Sequence, residues 1–141
     1  MPLLDVTIPE GALTSEAEHD LLRKLMNLLL EHEGADPTRP AVQAMAWTFL
    51  HRPAVTLVGG IVPTEPRYRI GVTVPDGMLS QRRRDRLVEN LTAAVLDAQP
   101  TDRPRNHNHV WVVINTVPDG SWGAGGQTVR LADIQARASQ D

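Results

Sequence analysis

The chain has 141 residues, 41% of them hydrophobic and 22% charged, with a formal net charge of −3, which suits one compact domain with its own core and suggests neither disorder nor a fibrous repeat. No apolar run approaches the roughly 18 residues of a membrane span, the first residues lack the charged-then-apolar layout of a signal peptide, and the acidic balance argues against a general nucleic-acid binder, so a cytoplasmic protein is expected. With no cysteine, a thiol nucleophile, a Cys-bound zinc and a disulfide framework are excluded, and the single lysine, Lys24, stands mid-helix by prediction, a poor place for a P-loop or a Schiff base.

Leu3 to Ile8 suits a strand, and Pro9-Glu10-Gly11 closes it as a turn. A helix follows. Ser15 and Glu18 have capping-box spacing, Leu21, Leu22, Leu25, Met26 and Leu29 recur at helical period, and Gly34 offers a stop. Val42 to Leu50, just after Pro40, could be read locally as a short helix. Tyr68 to Val74 is again a strand closed by Pro75-Asp76-Gly77, and Leu87, Val88, Leu91, Val95 and Ala98 form a second helical stripe with Pro100 beyond it. Val110 to Val117 is β-branched and strand-like, and a loop then leads to Trp122-Gly123-Ala124-Gly125-Gly126.

The two halves repeat at an offset of 66 residues. Val6-Thr7-Ile8-Pro9-Glu10-Gly11-Ala12-Leu13 reads against Val72-Thr73-Val74-Pro75-Asp76-Gly77-Met78-Leu79, the helix leucines stay in step, and Gly59-Gly60 meets Gly125-Gly126. The repeat makes Val42 to Leu50 a strand, the partner of Val110 to Val117, and places a small hairpin at each glycine pair. The expected fold is therefore α/β (α+β): two tandem β-α-β modules, residues 2–62 and 68–130, in one domain. Right-handed crossovers give a four-stranded sheet with two helices on one face and a pseudo-twofold between the halves. Val110, Val112 and Ile114 point to one side of their strand and Trp111 and Val113 to the other, so the sheet needs cover on its second face too, which association of chains would supply.

Pro2 directly after Met1, the strand ending Ile8-Pro9-Glu10-Gly11, the β-α-β unit and the terminal Trp122-Gly123-Ala124-Gly125-Gly126 together resemble the tautomerase superfamily over almost the whole chain. The second half looks most like the 4-oxalocrotonate tautomerase module, and the two-module length is similar to that of macrophage migration inhibitory factor, malonate semialdehyde decarboxylases and cis-3-chloroacrylic acid dehalogenases. The resemblance implies a homotrimer with pseudo-sixfold symmetry, no cofactor, and a site built on Pro2. Removal of Met1 would leave Pro2 with a secondary amine, which burial or a nearby guanidinium would keep neutral as a general base for keto-enol proton transfer on a small 2-keto or enol acid. Pro2 aligns with Tyr68, which has no free amine, so one such site per chain is implied.

The chain departs from the family at its substrate arginines. Ala12 or Met78, and Met45 or Trp111, stand where the bacterial tautomerase has them, and Pro75-Asp76 stands where the decarboxylases and dehalogenases carry theirs. Arg52, Arg67, Arg69 and Arg130 are the remaining candidates for a carboxylate, with Trp122, Trp111 and His109 as site-lining residues. The alternatives are a Pro-dependent hydratase, dehalogenase or decarboxylase, using His51 or His109 to activate water, or a non-catalytic trimeric binding protein. His107 and His109 have metal-ligand spacing but lack a third ligand, the glycine-rich end lacks the Lys-Ser/Thr of a phosphate loop, and Arg82-Arg83-Arg84 with Arg86 reads as a solvated helix face.

Overall fold

The computed structural model describes residues 1–140. Two parallel pairs make its sheet: β1 (Leu3–Thr7) with β2 (Trp47–His51), and β3 (Tyr68–Pro75) with β4 (Val110–Val117). The pairs join through an antiparallel β1–β3 ladder, in the order β2-β1-β3-β4. The repeat thus becomes a pseudo-twofold, with Leu3↔Thr73 at one end of the central ladder and Thr7↔Arg69 at the other.

The long helices α1 (Ser15–Glu33) and α3 (Gln81–Ala98) cross one face of the sheet and pack on each other. Leu21, Leu25 and Leu29 of α1 and Leu87, Leu91 and Val95 of α3 are buried against the even-numbered strand residues Leu4, Val6, Ile70 and Val72, the burial expected for period-3.6 stripes over a period-2 face. The side chain of Thr14, one residue before the expected cap, accepts from Ala17 N at 3.1 Å, and Gly34 ends α1 in the left-handed region at φ 83°. Ser80 caps α3 in the same manner.

Expectation and structure part at Val42–Leu50. The chain makes a one-turn helix α2 (Pro40–Gln43) before β2 begins at Trp47. Pro40 favours that turn because a first-turn residue needs no N–H partner and its φ is preset. The second half keeps the same punctuation as a 3-10 turn, His107–His109, ahead of β4. The glycine pairs diverge: Gly125-Gly126 turns a regular hairpin, β5 (Trp122–Ala124) with β6 (Gln127–Val129), whereas across Gly59-Gly60 only the Val58↔Ile61 bridge forms. Beyond the repeat lies α4 (Leu131–Ser139), an element the repeat has no means of announcing. Ile134 buries its inner side, Arg39 donates to the Ala138 carbonyl, and Asp119 Oδ1 accepts from Leu131 N at 2.8 Å.

The sheet face away from the helices is uncovered. Trp111 is 72% exposed there, Trp47 64% and Phe49 49%, alongside Val113. Among the described residues no helix is long and apolar enough to cross a membrane.

Candidate functional site

Pro2 is buried where β1 enters the sheet, its carbonyl accepting from Trp47 N at 3.2 Å. Around it opens a cleft of about 420 Å³ whose walls are Met45 from the loop after α2, Trp47 and Phe49 of β2, Trp122 of the second module's hairpin, and Arg137 of α4. Trp47 and Phe49 meet edge-on, with centroids 6.4 Å apart. Each module therefore contributes: the first supplies the strand start, the second supplies the hairpin that walls it.

Burial holds the Met1 amino group below its ordinary value, against an opposing pull from the Glu33 carboxylate. Glu33 itself is pushed up to about 7 by burial at the end of α1, the positive amino group acting the other way, and its Oε1 is buried without a hydrogen-bond partner. Desolvation dominates both, penalising the charged form of each group.

Of the residues expected around Pro2, Trp122 is in the cleft and the other six lie elsewhere. Arg52 makes a two-pronged pair with Glu18, both contacts at 2.7 Å, and donates to the Ile8 carbonyl at 3.0 Å, so it ties α1 to the end of β1. Arg130 lies over the Pro118–Gly120 turn, 3.9 Å from Asp119 and close enough to Gly120 that a Cβ there would meet its guanidinium at 2.5 Å. Arg67, Arg69, His109 and Trp111 line a separate cleft at the start of β3. His51 pairs with Asp5 at 2.6 Å on the open sheet face, in a third depression.

Arg137, the one guanidinium in the Pro2 cleft among the described residues, was not among the arginines expected there. The signal available was the apolar spacing of Leu131, Ile134 and Ala138, which marks 131–139 as a helix. Which cleft that helix borders is decided by tertiary contacts. No group of three His, Asp or Glu side chains with metal-binding geometry occurs among the described residues.

Neither a family model nor a curated protein matches the chain. Solved structures do. A fused 4-OT wild-type symmetric trimer (Q0) superposes with TM-score 0.73 at 22% identity, over 94% of this chain and 98% of that one. N1, a member of the cis-3-chloroacrylic acid dehalogenase family, gives 0.74 at 16% over 99% and 92%. A macrophage migration inhibitory factor-like protein from Entamoeba histolytica gives 0.69 at 14% over 91% and 98%. Over almost its whole length the chain thus has the fold shared by these fused 4-OT, dehalogenase-family and migration inhibitory factor-like structures.

Proposed function

We propose that this protein is a tautomerase that uses Pro2, freed by loss of Met1, as the general base for keto-enol proton transfer on a small 2-keto or enol acid. The observation that carries the reading is the buried start of the chain within a mostly apolar cleft holding one cation, Arg137. A proline nitrogen is an amide inside a chain and a basic secondary amine only at its beginning. Desolvation in such a cleft disfavours the charged form of that amine, which is the condition a general base needs. It takes the proton from an enol hydroxyl or from the carbon beside a ketone, becomes the ammonium, and returns the proton at the other end of the conjugated unit. Arg137 is the candidate partner for the substrate carboxylate, and Trp47, Phe49 and Trp122 suit a flat, unsaturated body.

The placement of His51 favours isomerisation over hydration or dehalogenation, since His51 pairs with Asp5 outside the Pro2 cleft and His109 lines the other one. Among the described residues, no His, Asp or Glu walls the Pro2 cleft. The exposed Trp47, Phe49, Trp111 and Val113 on one sheet face support a homotrimer packed on that face, with the Pro2 cleft and the cleft beside Trp111 open between the chains.

Intact mass should show loss of Met1, and the processed protein should ketonise phenylenolpyruvate or 2-hydroxymuconate. Any residue left ahead of Pro2 converts its nitrogen to an amide and should lower kcat/KM by roughly 10²–10⁴-fold, the usual share of a general base. Equal activity with and without a preceding residue, or in Pro2→Ala, would refute the assignment of Pro2.

A further inference from the structure

The Pro2 cleft has a counterpart, related to it by the same 66-residue offset that relates the halves. Met1, Pro2, Leu3 and Met45 of one cleft become Arg67, Tyr68, Arg69 and Trp111 of the other, and the hairpin residues Gly123 and Ala124 become Leu57 and Val58. The two clefts share no lining residue, and the second is of similar size, about 390 Å³. What changes is the chemistry. An amino group with apolar neighbours gives way to an internal amide flanked by two arginines.

Tyr68 cannot act in place of Pro2, because its ring turns into the core, where its hydroxyl donates to Gln99 Oε1 at 3.0 Å and accepts from Arg103 Nη1 at 3.2 Å. Burial raises its pKa, so it holds its proton. Arg67 spends one nitrogen on the Glu65 carbonyl at 2.9 Å, and its other donors have no protein acceptor among the described residues. The Glu65 carboxylate itself pairs with Arg103 at 3.7 Å. Arg69 borders the cleft while its Nη1 reaches over Gly71, 3.5 Å from where a Cβ would stand. Burial and the charge of Arg67 both lower the pKa of His109, against the pull of Glu65.

We propose that this second cleft is a binding site for a small monocarboxylate with a flat apolar body, the carboxylate held by Arg67 and the body lying between Trp111 and the Leu57-Val58 segment, with no proton transfer there because the chain supplies no amine. The offset between duplicated modules accounts for its shape, and Arg67 with Trp111 for its selectivity. This inference is independent of the chemistry assigned to Pro2.

Cinnamate serves as the probe, titrated into the full chain carrying a short N-terminal extension so that no proline amine is present, with the indole N–H resonance of Trp111, assigned through Trp111→Phe, as a local reporter. Saturable movement of that resonance is expected, with the dissociation constant rising about tenfold or more in Arg67→Gln, as loss of a charge-assisted carboxylate contact predicts, and recovering in part in Arg67→Lys. Should Arg67→Gln fold poorly, Leu57→Glu, a change at an exposed position, places a repelling carboxylate in the same cleft and should weaken cinnamate comparably. A Trp111 resonance that does not respond, or an affinity indifferent to both Arg67→Gln and Leu57→Glu, overturns the proposal. Failure of the Pro2 reading is distinguishable, since it would show as turnover that persists with the extension in place.

Discussion

Glu33 is a carboxyl group pushed up to about 7 by burial, and a measurable consequence attaches to it. Its folded pKa, about 7, lies above the ordinary 4.5, so between those values the native state binds more protons than the unfolded chain. Stability is then greatest at the acid end of that window and falls as pH rises through it, by up to about 3 kcal/mol. Glu33→Gln should flatten this slope in urea unfolding measured at several pH values; a slope that survives the substitution would mean another group causes it. The same carboxylate raises the affinity of the nearby amino group for protons. Arg137 belongs at this scale as well. As the cation of the Pro2 cleft, its replacement by alanine should raise KM for a carboxylate substrate by about tenfold or more while changing kcat less. An unchanged KM would exclude Arg137 as the anchor.

At the scale of elements, the first helix is bounded by two independent devices. Thr14 satisfies one free N–H at its start, and Thr14→Ala should cost about 1 kcal/mol of stability. Gly34 closes its end at φ 83°, where a Cβ meets nothing within 4 Å, so the cost of Gly34→Ala is purely conformational and should be about 1–2 kcal/mol. Denaturant midpoints would check both, and a neutral Gly34→Ala would show that the helix end relaxes. The last helix is held differently, by Arg39 on the Ala138 carbonyl and by Asp119 at its first turn. Arg39→Ala should therefore speed amide exchange selectively in 131–139 and, through Arg137, weaken substrate binding without disturbing the main sheet.

The whole molecule is asymmetric across its sheet. One face is sealed by two helices, while the other presents Trp47, Phe49, Trp111 and Val113 to the surroundings. An apolar patch of that kind is a cost for a lone chain and a driving force for association. Sedimentation should give a particle three times 15.5 kDa, and Phe49→Lys, which sets a charge in the middle of the patch, should shift it to the single-chain mass at micromolar concentration. A wild-type protein that sediments as one chain would remove the trimer from the proposal.

Periodicity and self-similarity were enough to read the four strands, the two long helices, their shared side of the sheet and the pseudo-twofold, because these follow from where apolar residues recur and from the handedness of the crossover. The same repeat misjudged Val42–Ala46, where Pro40 starts a helical turn, and it was silent about 131–139, which has no copy in the first half. Of the residues expected beside Pro2, only Trp122 lines the same cleft. Folding sorts the arginines by partner and by position: Arg52 finds Glu18, Arg130 lies over Gly120, Arg67 and Arg69 line the other cleft, and Arg137 arrives from the end of the chain. Sequence patterns record which face of an element a residue occupies; which cleft that face borders depends on contacts between residues far apart along the chain, and only the tertiary structure supplies those.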